Sequence, residues 1–390
     1  MEPVKRPLLS RRLDGLGTTI FTEMSARALA TGSINLGQGF PDADGPRGIA
    51  QRAMDAIAGG EGNQYPPLPG VPPLRHAIAR HQQRFYGLSV DPDSEVLVTA
   101  GATEAIASAI LALVEPGDEV IAFEPFYDSY AANIAMAGGT RVGLTLRPPA
   151  FRPDLDELKA KITERTRLLL INTPHNPTGM VLTPAETRAI AKIAVDHDLL
   201  VVTDEVYEHL TYDKPHVPIA TVTGMRERTV TISSGGKAFG FTGWKVGWAT
   251  GTPELVTAVR TAKQFLTFVA SGPFQFAIAD ALDLPADYYN DLAADLAGKR
   301  DLLSDGLCEI GFEVHPSDGT YFVMTDIAPL GESDGVEFCL GLPERAGVVA
   351  IPSAVFYDDK EAGRTQVRFA FCKRREVLED ALERLSVLKR

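Results

Sequence analysis

Short apolar runs rich in β-branched residues alternate with helical patterns between about Glu95 and Gly251: "EVLVTAG", "VIAF", "RLLLINT", "LLVVTDE" and "TVTISS" are the runs. Apolar runs of that kind suit strands covered on both faces, and their alternation with helices predicts βα units around a largely parallel sheet. The clearest helix follows "GATEA", where Ala105, Ile106, Ala109, Ile110 and Leu113 recur at helical spacing and "EPGDE" supplies the stop. Another opens at Thr183-Pro184 with Glu186 close behind, a capping pattern with proline in the first turn. Beyond about Leu284 the pattern changes to a charged helix, "YYNDLAADLAGKRDLLSDGLCEIG", then strand-like "TYFVMTD", "VVAIP" and "VRFAF", and a last amphipathic helix, "REVLEDALERLSVL". This predicts a second, smaller α+β domain. The expected division is an N-terminal arm with part of the small domain over 1–46, a large domain over 47–284 and a small C-terminal domain over 285–390.

Each apolar run is followed at once by polar or small residues: "GATEA", "EPFYDSY", "NTPHNPTG", "DEVY" and "SSGGK". Ligands of open α/β sheets bind outside the carboxyl ends of the strands, so these five loops are expected to converge on one pocket. Composition narrows the classes. At 390 residues, 45% hydrophobic and 23% charged, the chain is an ordinary globular protein with room for two domains. A formal net charge of −13 argues against a nucleic-acid or anionic-membrane partner, and "VKRP" and "SRR" are too short to reverse it. Cys308, Cys339 and Cys372 fit neither a metal-binding pair nor a disulfide framework, which points to a reducing cytoplasm. The N-terminal "MEPVKRPLLSRRLDGLG" lacks the apolar run of a signal peptide, and no stretch of about 18 apolar residues occurs. Neither a membrane nor a bound metal is expected, since the histidines show no ligand spacing and read as packing or hydrogen-bonding groups.

The chemistry lies in the loops. Lys237 and Lys245 sit eight apart in "SSGGKAFGFTGWKVGW", amid small residues against which something planar can lie. Lysine forms Schiff bases with aldehydes once burial and nearby cations lower its pKa, although an isolated lysine is ordinarily a solvated cation. Asp204, taken alone, suits a helix N-cap equally well. Asn172 and Asn176 flank "TPH" in a loop that a bare turn would also explain, and "GATEA" offers helix N–H groups to a phosphate. Jointly these features meet the needs of an aldehyde cofactor with a phosphate and a pyridine ring: a Schiff-base lysine, an acid for the ring nitrogen, and donors for the ring hydroxyl and phosphate.

The motifs "NLGQGFPD", "GATEA", "NTPHNPTG", "TDEVY", "SSGGKAFGFTGWKVGW" and "VRFAF" occur in an order that resembles the class I/II aminotransferases, which use pyridoxal 5′-phosphate and have fold type I. "NLGQGFPD" and "EPFYDSY" look like the kynurenine/methionine/glutamine branch and, within it, actinobacterial N-succinyldiaminopimelate aminotransferase-like proteins. The resemblance implies an α/β large domain with a mostly parallel seven-stranded sheet, a smaller α+β domain, and a homodimer with active sites at its interface. It implies Lys237 as the Schiff-base lysine and the base that moves a proton at the substrate, and Asp204 as the partner of the ring nitrogen. Tyr207 and Asn176 would donate to the ring's phenolate oxygen, and Ser234, Lys245 and the N–H groups of Ala102 and Thr103 would hold the phosphate. Tyr65 would reach the phosphate of the neighbouring subunit, and Tyr127 would cover the ring face opposite Val206. Arg368 would grip the substrate α-carboxylate with help from Asn172 and the backbone of Gly39, while Phe21 and Phe268 shape the side-chain pocket.

The expected activity is ping-pong transfer of an amino group from an L-amino acid of the N-succinyldiaminopimelate, kynurenine, methionine or glutamine type to a 2-oxo acid such as 2-oxoglutarate. A cysteine-S-conjugate β-lyase on the same scaffold is the alternative, and pyruvate release without an oxo-acid acceptor distinguishes it. A non-catalytic cofactor-binding regulator would need an added DNA-binding domain, and "NLGQGFPD" already begins at Asn35. A nicotinamide oxidoreductase lacks its GxGxxG after a strand, metal hydrolysis lacks HExxH, and acyl transfer lacks GxSxG.

Overall fold

The computed structural model describes residues 8–14, 17 and 19–389, so the start of the expected N-terminal arm, with "VKRP", lies outside it. The strands among the described residues are β1 (Ile34–Asn35), β2 (Val96–Ala100), β3 (Glu119–Glu124), β4 (Thr140–Thr145), β5 (Thr166–Asn172), β6 (Leu200–Asp204), β7 (Thr229–Ser234), β8 (Val246–Thr250), β9 (Glu313–Val314), β10 (Phe322–Asp326), β11 (Val348–Val349), β12 (Ile351–Pro352) and β13 (Gln366–Ala370). Seven of them form the large sheet in the order β2-β8-β7-β6-β5-β3-β4. All its neighbours run parallel except β8, which is antiparallel to both β2 and β7. The carboxyl ends of β2, β3, β5, β6 and β7 therefore open on one edge. The amino end of β8 opens there too.

The apolar runs are continuous because both faces are covered. In β3 and β5 successive side chains split between two cores: Val120, Ala122, Leu168 and Leu170 face the helix Gly101–Leu113, while Ile121, Phe123, Leu169 and Ile171 face the helix Pro184–Asp196. That period of two gives each face its own layer. The second helix starts as the sequence predicts, with a capping box in which Thr183 Oγ1 accepts from the Glu186 N–H and the Glu186 carboxylate accepts from the Thr183 N–H.

A further core unites both ends of the chain. The antiparallel sheet β12-β13-β10-β9 packs with the helices Ala286–Ile310 and Arg375–Leu385, and Met24 and Ala28 of the helix Ile20–Thr31 join the same cluster. Strand β1 pairs in parallel with β11, so the segment after that first helix is tied to the C-terminal layer and not to the large sheet. No described helix is long and apolar enough to cross a membrane.

Because the capping box satisfies two otherwise orphaned N–H groups, Thr183→Ala is expected to lower stability by about 1 kcal/mol. Urea denaturation checks it, with a lower midpoint at unchanged slope.

Candidate active site

At the carboxyl edge of the large sheet lies a cavity of about 960 Å³, in the size range of cofactor and substrate sites. Of the residues expected there, Phe21, Gly39, Ala102, Thr103, Tyr127, Asn172, Asn176, Asp204, Tyr207, Ser234, Lys237, Lys245 and Arg368 line it, and Val206 lies among them. Tyr65 and Phe268 do not. They pack edge to face on each other with ring centroids 5.6 Å apart, and stand 83% and 48% exposed on the surface of the single chain.

Close backbone approach builds the anion end. A Cβ at Gly247 would stand 2.5 Å from the Gly101 carbonyl carbon, so only glycine lets β8 lie against the start of the helix Gly101–Leu113. Lys245, just before β8, has a left-handed backbone (φ 53°) and places Nζ 3.0 Å from Thr103 Oγ1. A cation thus stands beside the free first-turn N–H groups of a 13-residue helix, an arrangement suited to a phosphate.

The short helix Gly235–Ala238 projects Lys237 into the cavity from the end of β7. Its Nζ lies 2.9 Å from the Tyr321 hydroxyl and 3.5 Å from the Gly39 carbonyl oxygen. Burial pushes its pKa down to about 8; Cys372 and Asp204 oppose this, while Lys245 and Arg368 add to it. Asp204, at the end of β6, accepts from the Tyr130 hydroxyl at 2.6 Å, and no cationic side chain bonds it among the described residues. Burial raises its pKa, with Tyr130, the Val206 N–H and Lys237 pulling the other way. Burial likewise drives the Tyr127 phenol up to about 12.

Arg368 on β13 is 1% exposed, with one NH2 group 2.9 Å from Asn176 Oδ1 and the other 2.7 Å from the Gly37 carbonyl oxygen. Among the described residues its Nε has no partner, and its guanidinium lies 4.0 Å from the Phe322 ring centroid and 5.2 Å from that of Phe21. Desolvation lowers its pKa to about 10, a cost that no carboxylate bonded to it offsets. A buried arginine with an unused donor is a receptor for an incoming anion.

Asn172 is used differently from its expected part at the substrate carboxylate. Its Nδ2 donates to the Asp204 carbonyl oxygen at 2.8 Å and its Oδ1 accepts from the Asn176 N–H at 2.6 Å, so its amide locks two loops together. Gly39 turns its carbonyl, not its N–H, toward Lys237. His175, inside the same loop, is buried and bonded to Thr178, and burial lowers its pKa to about 3. Sequence reasoning missed Tyr130 and Tyr321. Tyr130 sits three residues after Tyr127 on the helix Asp128–Ala137, a spacing that offered a signal; Tyr321 arrives from the far layer and offered none. It also missed that the fold gathers His81, Glu208 and His209. There the two imidazoles share a 2.6 Å Nε2–Nε2 hydrogen bond and Glu208 accepts from Tyr86 and Ser233.

A phosphorylated pyridine aldehyde fits this donor set: an amine of lowered pKa for the aldehyde, a buried carboxylate lacking a cation for the ring nitrogen, and Lys245 with helix N–H groups for the phosphate. The fold is that of a fold type I pyridoxal-phosphate-dependent enzyme. The chain belongs to the class I and II aminotransferases, whose family model matches residues 31–385. It is 54% identical over 388 residues to a protein of Mycobacterium tuberculosis named probable N-succinyldiaminopimelate aminotransferase, covering 97% of this chain and 98% of that one. It is 44% identical over 384 residues to the methionine aminotransferase of Escherichia coli, covering 98% and 99%. Its fold superposes with a TM-score of 0.96 on the solved N-succinyldiaminopimelate aminotransferase of M. tuberculosis, at 55% identity and with 97% of this chain and all of that chain covered. The protein is therefore a pyridoxal-phosphate-dependent aminotransferase.

The depressed lysine pKa carries a stability consequence. With a folded value of about 8 against the ordinary 10.5, the unfolded chain binds more protons between those limits, so stability rises with pH across that window. In cofactor-free protein, Lys237→Met is expected to be the more stable form at pH 7, with the gap closing toward pH 10.5. Denaturation of both proteins along a pH series measures it.

Proposed function

We propose that this aminotransferase takes an L-amino acid with a long, uncharged side chain, of the methionine or kynurenine type, and passes its amino group to a 2-oxo acid such as 2-oxoglutarate in a ping-pong cycle. The observation that carries the donor class is the charge balance of the cavity. Ile20, Phe21, Val355 and Phe356 line it together with the carboxylates of Glu23 and Asp128, and the cavity's lysines and arginine among the described residues are Lys237, Lys245 and Arg368. Each of those cations has an inner task in this reading. A donor tail bearing carboxylates would meet Glu23 and Asp128 unpaired.

Bound pyridoxal phosphate supplies an electrophilic aldehyde and a ring that accepts the electron pair released at the donor's Cα. Arg368 binds the α-carboxylate with its planar guanidinium, which Asn176 orients. Asp204 faces the ring nitrogen and keeps it protonated, itself held by Tyr130. Tyr207 and Asn176 serve the phenolate oxygen, while Ser234, Lys245 and the N–H groups of Ala102 and Thr103 serve the phosphate. Tyr127 and Val206 enclose the two ring faces and exclude water. Lys237, neutral in an appreciable fraction near its pKa of about 8, takes the Cα proton on Nζ and returns it on the other side of the transfer. Asn172 acts here as scaffold for Asn176.

The exposed aromatic face carrying Tyr65, Phe265 and Phe268 supports a homodimer in which Tyr65 completes the partner's phosphate site and Phe268 the partner's side-chain pocket. The unpaired cysteines Cys308, Cys339 and Cys372 support a cytoplasmic location. A second donor, N-succinyldiaminopimelate, is favoured by the 54% identical relative, and would require cations for its extra carboxylates from the partner subunit.

Lys237→Ala is expected to abolish the visible absorbance of the cofactor–lysine imine and to lower turnover by ~10²–10⁴-fold. An unchanged spectrum would remove Lys237 from the reading. In a donor panel with 2-oxoglutarate, read as glutamate formed, methionine and kynurenine should exceed N-succinyldiaminopimelate in kcat/KM; the reverse order overturns the donor class. Gel filtration should give a dimer, and a fully active monomer would contradict the shared site.

A further inference from the structure

The amine of Lys237 is held by a residue with no part in the roles above. Tyr321, one position before β10, is 1% exposed, and its hydroxyl lies 2.9 Å from Lys237 Nζ while forming a short hydrogen bond to the Gly39 carbonyl. A carbonyl oxygen only accepts, so the single phenolic proton goes to Gly39 and the phenol's lone pairs face the lysine. Lys237 must then be the donor. A neutral amine has two N–H bonds and one lone pair. With one N–H given to Tyr321 and the other toward Gly39 at 3.5 Å, the lone pair points into the cavity.

The backbone beside Tyr321 shows how firmly it is aimed. Thr320, a β-branched residue, has φ of 67° in the left-handed region. Its N–H donates to the Leu210 carbonyl at 2.7 Å, its carbonyl accepts from the Tyr212 hydroxyl, and its hydroxyl oxygen accepts from the Phe322 N–H at 3.1 Å. Strain at one residue, held by three hydrogen bonds, fixes the next.

We propose that Tyr321 is a positioning residue for transamination: by accepting an N–H it parks the free Lys237 amine in the one orientation that presents its lone pair to the reacting carbon. The proposal deepens the reading of Lys237 as the proton-moving lysine and rests on it. Tyr321 touches Lys237, the Gly39 carbonyl and the Tyr207 ring, whose centroid lies 5.2 Å from its own, and it acts on the reacting carbon through Lys237. The same hydrogen bond stabilises the charged amine, so removing it must lower the lysine's pKa further, with Cys372, Asp204, Lys245 and Arg368 unchanged around it.

The test uses the full-length protein freed of cofactor. The rate of reductive methylation of Lys237 with formaldehyde is followed against pH by peptide mass spectrometry in wild type, in Tyr321→Phe and in protein carrying 3-fluorotyrosine at position 321, a weaker acceptor of nearly the same shape. The midpoint should fall by about one pH unit in Tyr321→Phe and by less with fluorotyrosine. An unchanged or raised midpoint in either folded protein overturns the proposal, and the fluorinated form decides if the phenylalanine variant does not fold. With cofactor restored, Tyr321→Phe should lower kcat by about tenfold at unchanged donor KM; an unchanged kcat also overturns it. Since methylation is measured without cofactor, its result is independent of whether Lys237→Ala retains the absorbance band, which tests Lys237 itself.

Discussion

The site depends on burying two cations that no carboxylate among the described residues hydrogen-bonds. Arg368 is buried with two hydrogen bonds to neutral oxygens and none to a carboxylate, and Lys237 is buried with a phenol and a carbonyl as partners. Both pay for burial in lowered pKa values, to about 10 and about 8. A structural ion pair would have relieved that cost internally and left nothing to attract a ligand. The unrelieved charge on Arg368 suits that end of the cavity to an incoming carboxylate. Burial is also what makes the Lys237 amine basic enough to hold a proton and acidic enough to release it.

Placing these groups together is a problem of strand direction. Parallel strands deliver their carboxyl ends to a single edge, which accounts for Asp204 after β6 and Lys237 after β7. Lys245 follows Lys237 by only eight residues, too few for a helical crossover. The chain instead turns and enters β8 antiparallel, so the amino end of that strand stands at the same edge. Gly247 then allows β8 to close on the helix after β2, and Lys245 reaches its first turn. The antiparallel strand in an otherwise parallel sheet is thus the device that brings both lysines to one cavity.

Much of this was legible before any coordinates. The strand runs, the capping box at Thr183 and the cluster of loops follow from local periodicity and turn chemistry, which act over a few residues. What escaped depends on contacts between distant segments. Tyr321 meets Lys237 across 84 residues, and His81 meets His209 across 128. Asn172 reads as a substrate ligand because a loop asparagine beside a site offers the same amide to either use; its nitrogen and oxygen each hold a backbone group of another loop, which no local pattern showed. Tyr65 and Phe268 lie off the cavity of one chain, packed on each other at its surface, where no pattern in the sequence shows what they serve.

The scaffold role of Asn172 bears on how the two ends of the cavity stay in register. Its amide nitrogen holds the Asp204 carbonyl, its oxygen holds the Asn176 N–H, and the Asn176 side chain in turn accepts from Arg368. Three hydrogen bonds therefore connect the backbone carbonyl of Asp204 with the guanidinium of Arg368, although the two residues belong to different layers of the fold. A cofactor and a substrate must be held at a fixed mutual distance and angle for proton transfer at Cα, where a small misplacement is costly in rate. A chain of hydrogen bonds running through one buried asparagine ties the positions of Asp204 and Arg368 to each other across the two layers.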